Sequence, residues 1–183
     1  MRTVAIILAA GASRRLGRPK QLVEVAPWGE PLVHRIARVA LEVCDRVAVI
    51  EGAVPFIDAL AGLPVTIVHN AAWNEGIGSS IRAGIAWASS ADAALLLTCD
   101  QVDVDAAHLT RLVGPGLLTA SRYGGTLGIP AVFPRSWFPA LFALRGDRGA
   151  QPLLSPSRAL AVDWPAGERD LDTPADLEAR LRS

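Results

Sequence analysis

Short apolar runs and amphipathic stretches take turns along this chain. Thr3 to Leu8 (TVAIIL) is apolar at every position but the first, as expected of a strand buried on both faces of a parallel sheet. From Pro31 to Val43 the residues Leu32, Ile36, Val39 and Val43 recur at helical spacing behind a proline suited to a first turn, which predicts an amphipathic helix. Arg46 to Glu51 then reads as a buried strand, Val54 to Leu60 as a short helix and Val65 to Val68 as another strand. Ile81 to Ala88 reads as a helix capped by Ser79 or Ser80. A fourth strand is expected from Ala93 to Thr98, and a helix near Ala106 to Val113 capped by Asp103 or Asp105. Such alternation predicts an α/β, Rossmann-like, mostly parallel sheet with helices on both faces, right-handed crossovers and ligands at the carboxyl strand ends.

Beyond Val113 the pattern changes. Leu117 to Arg122 and Thr126 to Phe133 flank Gly124-Gly125, which reads as a β-hairpin inserted into the alternation. The expectation is a flap carrying an acceptor site, with Gly128, Ile129, Pro130 and Ala131 in it. Trp137 to Leu144 reads as a helix, and Gly146 to Gly149 as a polar turn in which Asp147 and Arg148 pair with each other. A strand from Ala159 to Trp164 follows, and then a helix through Leu177 and Leu181. Thr173 at its N-cap, Pro174 at N1 and Asp176 at N3 open that helix.

Composition narrows the function classes. The 183 residues are 51% hydrophobic, enough for one domain over 1–183 to bury a core without metals or disulfides. The 18 basic and 18 acidic residues balance, so no global field recruits nucleic acid or an anionic membrane, and any phosphate recognition is local. Cys44 and Cys99 lie far apart in apolar surroundings and read as reduced core thiols. No signal-peptide pattern follows Met1, and no apolar run approaches the roughly 18 residues of a membrane span, so a cytoplasmic protein is expected.

Candidate chemistry concentrates at four places. The first is Leu8 to Lys20 (LAAGASRRLGRPK), where small residues follow a buried strand and Arg14, Arg15, Arg18 and Lys20 lie close to Gly11 and Gly17. The stretch is either a basic surface loop after a strand or a place where exposed amides and cations converge on an anion such as a phosphate. The stretch matches neither a Walker loop, whose lysine directly follows its second glycine, nor the dinucleotide fingerprint, since Ser13 replaces the second glycine. The second is Asn70 to Ser80, which is either a glycine-shaped turn with a serine cap or a nucleotide-facing loop offering Asn70, the ring of Trp73, Ser79 and Ser80. Arg82, just beyond, faces either the site or solvent. The third is Asp100, at the end of an apolar strand, where an ionised carboxylate is costly unless it meets a cation or donors. It is read as a ligand for Mg²⁺, which needs one or two carboxylates beside water and substrate oxygens. The fourth is Asp172, left over from the cap of the last helix and read as a second carboxylate on the metal. His34, His69 and His108 have no partners at metal spacing and are not read as chemical groups.

Together these pieces resemble the MobA-like nucleotidyltransferases, and among them the molybdenum cofactor cytidylyltransferase branch. The resemblance rests on LAAGASRRLGRPK, NAAWNEGIGSSIRAGI, TCDQ, RYGGTLGIPAVFP, LRGDRGA and DLDTPAD, which span nearly the whole chain. It implies Mg²⁺-dependent transfer of CMP from CTP to the terminal phosphate of molybdopterin, with release of pyrophosphate. It implies that Leu8, Ala9, Ala10, Gly11 and Ser13 meet the nucleotide through the backbone and that Arg15 and Lys20 meet the triphosphate. Asn70, Ser79 and Ser80 then hold base or ribose, Asp100 and Asp172 hold Mg²⁺, and Arg15, Lys20 and Asp100 carry catalysis. Guanylyl transfer, another phosphorylated acceptor, or an accessory role with a molybdoenzyme or its maturation factor are the alternatives. The chain departs from the family pattern at Val102 and Ala71, where prolines are common, and at Gln151, where an arginine often stands.

Overall fold

A computed structural model describes residues 2–25, 27–169, 171 and 173–181. Strand β1 (Thr3–Leu8) leads through a long loop to the small antiparallel pair β2 (Glu24–Val25) and β3 (Glu30–Pro31), then helix α1 (Leu32–Leu41). Strands β4 (Val47–Glu51) and β5 (Thr66–His69), helix α2 (Ile77–Trp87), strand β6 (Ala93–Thr98) and helix α3 (Ala106–Val113) follow. The chain continues with β7 (Thr119–Tyr123), β8 (Thr126–Pro134), α4 (Phe138–Phe142), β9 (Leu160–Asp163) and α5 (Pro174–Leu181). The large sheet has the order β5-β4-β1-β6-β8-β7-β9. All its strands run one way except β8, which is antiparallel to β6 and β7.

Apolar runs form the central strands because both sheet faces are covered. Along β1, Val4, Ile6 and Leu8 enter one core and Ala5 and Ile7 the other, the period-2 alternation of a pleated strand. Strand β6 does the same with Ala94 and Leu96 against Ala93, Leu95 and Leu97. Helix α2 (Ile81, Ile85) and α4 (Phe138, Leu141) cover the first face, and α1 (Val33, Ile36) and α3 (Leu109, Leu112) the second. A side chain at Gly84 would collide with Ile6, so this glycine sets how closely α2 lies on β1. Both cysteines are buried, as expected of core thiols. No helix among the described residues is long and apolar enough to cross a membrane.

Three expectations change. Val54 to Leu60 is no α-helix but only a short 3₁₀ turn at Ile57–Leu60. Helix α2 begins at Ile77, four residues early, with no side-chain cap; Ser79 and Ser80 lie inside it. Its start is set by Gly76 at φ +107 and by the Gly146 carbonyl, which accepts from the Gly78 amide at 3.0 Å. The β7-β8 hairpin does turn at Gly124-Gly125, both at positive φ, but it is not a flap. Its second strand pairs with β6 inside the main sheet, because Thr126 to Phe133 is apolar enough to be covered on both faces. The expected caps at Asp105 and at Thr173 with Asp176 are present.

A buried polar network fastens the hairpin to α3. Ser121 Oγ donates to the Pro130 carbonyl at 2.7 Å, so His108 Nε2, also 2.7 Å away, must be the N–H that donates to Ser121. That leaves His108 Nδ1 as the acceptor facing the Arg111 guanidinium at 3.2 Å, with the ring stacked on Trp164. Burial, reinforced by Arg111, pushes the His108 pKa down to about 4. Unfolded chains therefore bind a proton here below about pH 6.5, whereas the folded chain does so only near pH 4. Stability is full above pH 6.5 and falls by up to about 3 kcal/mol as pH drops to 4. Urea unfolding at pH 7 and pH 4.5 measures this, and His108→Gln removes most of the difference. An equal pH dependence in that variant would refute the assignment.

Candidate active site

The carboxyl ends of β1, β4, β5 and β6 lie at one edge, and the chain reverses its direction across the sheet at β1. This is where open α/β sheets leave a crevice. A cavity of about 560 Å³ occupies it. Its walls are the loop from Leu8 to Arg15, Lys20 and Gln21, the β6 end at Thr98 to Asp100, the Trp73 to Ile77 turn with Ser80, and Asp147.

Close packing shapes the first loop. Ala9 N–H donates to the Ile50 carbonyl and Ala53 N–H to the Ala10 carbonyl, tying the loop to the end of β4. A Cβ on Gly52 would lie 2.6 Å from Trp73 Cβ and 2.7 Å from Ala10 Cβ, so three loops meet at a position that admits only hydrogen. Ser13 adopts φ +52, and its carbonyl accepts from the amides of Leu16 and Gly17. The turn returns the chain to Lys20, whose Nζ lies 2.9 Å from Asp100 Oδ2. Both side chains are mostly covered, at 15% and 20% exposure, so the pair is shielded from bulk water without being sealed from the cavity. Arg14 and Arg15 line the cavity as exposed cations, whereas Arg18 does not reach its wall.

The other oxygen of Asp100 tests the metal expectation. Asp100 Oδ1 is buried and has no hydrogen-bond partner among the described residues. A buried carboxylate oxygen without a donor is costly, and a hard divalent cation would satisfy it. Among the described residues no cluster of three acidic, histidine or cysteine side chains surrounds it. A Mg²⁺-type ion completed by water and phosphate oxygens needs no such cluster. Asp172 lies outside the described residues, although the Leu171 amide donates to the Asp100 carbonyl at 3.1 Å.

The Asn70 loop is arranged differently from its sequence reading. Ser80 reaches the cavity wall, but Asn70 and Ser79 are not part of it. The Asn70 amide donates to Ser79 Oγ at 2.8 Å and Ser80 Oγ at 3.1 Å, and its carbonyl oxygen accepts from Ala72 N–H. Asn70, 6% exposed, thus braces the loop against the first turn of α2. Arg82 turns away, pairing with Glu75 and donating to the Leu144 carbonyl. Asp147, which the sequence reading paired with Arg148, stands instead on the cavity wall. Gly76 makes room for it, since a Cβ there would come within 2.5 Å of Asp147 Oδ1.

A second cavity of about 290 Å³ adjoins the first, sharing Leu8 and Ile77. Its wall is largely apolar, with Ile81, Leu96, Ile129 and Tyr123, and carries Thr126 and Gln151 as polar groups. Gln101, next to Asp100, donates to the Ile129 carbonyl at 2.7 Å, which links the strand end that carries Asp100 to this second wall. Sequence reading passed over Gln21, Gly52 and Gln101. Each works through packing or backbone contacts that no motif spacing reveals.

Known proteins place this arrangement. PucB, a purine catabolism protein of Bacillus subtilis, is 29% identical over 98% of this chain and 96% of its own length. The nicotine blue oxidoreductase of Paenarthrobacter nicotinovorans is 34% identical, covering 81% of this chain and 79% of that protein. The molybdenum cofactor guanylyltransferase of Rhodobacter capsulatus is 32% identical over 100% of this chain and 98% of its own. Among solved structures, Rv0371c of Mycobacterium tuberculosis superposes with a TM-score of 0.80 at 31% identity, covering 100% of both chains. The same protein in complex with manganese gives 0.73 at 29% identity, again covering 100% of both chains. The MobA-like NTP transferase domain model matches residues 5–162. With that match across most of the chain, from β1 into β9, the protein belongs to the MobA-like NTP transferase domain family.

Proposed function

We propose that this protein transfers a CMP group from CTP to the terminal phosphate of molybdopterin, releasing pyrophosphate. The observation that carries the reading is the Lys20–Asp100 pair: one carboxylate oxygen held at 2.9 Å, the other buried and without a partner among the described residues, beside the loop from Ala10 to Arg15. In this reading the loop amides, Arg15 and Lys20 receive the nucleotide and its phosphates, and Ser80 meets the nucleoside from the opposite wall. Asn70 and Ser79 act behind that wall by holding Ser80 and the loop in place. Asp100 holds a divalent cation, with Asp172 as the second carboxylate. When bound, the cation neutralises phosphate charge as a Lewis acid. The manganese complex of Rv0371c supports divalent metal use.

The acceptor lies in the adjoining apolar cavity, with its phosphate at the shared wall by Leu8 and Ile77. A phosphate oxygen of the acceptor attacks the α-phosphorus; the new O–Pα bond forms as the bond to the bridging β-oxygen breaks, and pyrophosphate leaves. The protein contributes alignment and charge neutralisation and needs no covalent nucleophile. Guanylyl transfer is the second reading, favoured by the R. capsulatus relative. Pyrophosphate release with molybdopterin and Mg²⁺ distinguishes them: CTP is expected to be used faster than GTP, and equal or reversed preference would sink the cytidylyl assignment. Binding of nucleotide with no pyrophosphate release at all would point to an accessory role.

A further inference from the structure

Gln21 is 1% exposed, yet it lies directly beneath the nucleotide loop. Its Nε2 donates to the Ala9 carbonyl at 2.6 Å and to the Gly11 carbonyl at 2.7 Å. Its Oε1 accepts from Ser13 Oγ at 3.4 Å, and that hydroxyl in turn accepts from the Lys20 amide at 3.0 Å. One carboxamide therefore ties together the start of the loop, its glycine, its strained turn at Ser13 and the backbone of the catalytic lysine. A trans peptide points its N–H opposite to its C=O, so carbonyls turned toward Gln21 leave the N–H groups of Ala10 and Ala12 facing away from it. The amides of Ala10, Gly11, Ala12 and Ser13 have no partner among the described residues, and all four residues line the cavity. Such a row of unpartnered amides forms an anion-binding concavity.

We propose that Gln21 is a positioning residue that holds the Ala9 and Gly11 carbonyls inward, so that the amides of Ala10 to Ser13 are presented to the bound nucleotide. This rests on the reading of the cavity as a nucleotide site. Its role is indirect: Gln21 contacts the loop, and the loop contacts the ligand.

The test compares Gln21→Glu, which keeps the shape but removes both donors and sets a carboxylate against two carbonyl oxygens, with Ser13→Gly. The second variant deletes the linking hydroxyl while glycine tolerates the positive φ. Binding of Mg²⁺–CTP and Mg²⁺–GTP is measured by titration calorimetry, alongside thermal melting and the KM for each substrate. Gln21→Glu is expected to weaken nucleotide binding by about 10-fold or more, and Ser13→Gly by about 3-fold with an unchanged melting temperature. The KM for the acceptor stays within about 2-fold in both, a split that a purely structural role would not produce. Should Gln21→Glu fail to fold, Ser13→Gly decides alone. Wild-type affinity in the folded variants, or both KM values rising together, overturns the role of Gln21 while leaving the nucleotide site intact. A wild-type chain that binds neither nucleotide overturns the site reading itself, and the role of Gln21 with it.

Discussion

Asp100→Asn lowers the rate of pyrophosphate release by roughly 1,000-fold or more while the protein keeps its fold. The size follows from what the carboxylate is proposed to do: a divalent cation stabilises transition-state charge by several kcal/mol, and a neutral amide binds it poorly. The fold survives because the side chain stands at a strand end facing the cavity, and its exchange removes a charge whose Oδ1 is buried without a donor among the described residues. The asparagine carbonyl still accepts from Lys20, so the local geometry persists. Thermal melting is therefore unchanged or slightly raised, and titration calorimetry shows weakened Mn²⁺ binding. Turnover within about 10-fold of wild type in a folded variant would remove Asp100 from the chemistry.

Lys20→Ala is the second large effect, a loss of about 100-fold in kcat/KM for the nucleotide. Lys20 carries two tasks, holding Asp100 Oδ2 at 2.9 Å and presenting a cation to the triphosphate. Without it neither oxygen of Asp100 has a hydrogen-bond partner among the described residues, so the carboxylate is no longer held in one orientation toward the cavity. Stability falls by only about 1 kcal/mol, since the pair is partly open to the cavity. Kinetics unchanged from wild type would leave the lysine as a surface cation.

Several parts of the site were legible before any coordinates. The run from Thr3 to Leu8 and that from Ala93 to Thr98 match β1 and β6 residue for residue, because a strand covered on both faces must be apolar throughout. The motif LAAGASRRLGRPK and the aspartate of TCD mark the ends of those neighbouring strands, and adjacency brings Lys20 to Asp100 across 80 residues of sequence. Other parts were not legible. Asn70 carries the chemistry of a ligand contact, but both its amide donors go to Ser79 and Ser80, and its side-chain oxygen accepts from Ala72 N–H. Asp147 looked like half of a surface ion pair and instead stands on the cavity wall, because Gly76 and Gly78 let the Gly146 turn pack against the start of α2.

Local pattern and composition by themselves determined the α/β class, the buried strands, the capped helices and the cationic loop that follows β1. These depend on periodicity, caps and turn residues, which act over a few neighbours. Tertiary structure alone decided that β8 enters the sheet beside β6, that α2 starts at Ile77 directly behind Gly76, and that Gln21 holds the loop from beneath. Each of those outcomes is set by the partner that a backbone group finds elsewhere in the chain. Sequence spacing shows which polar groups are present; packing shows which of them have already been satisfied.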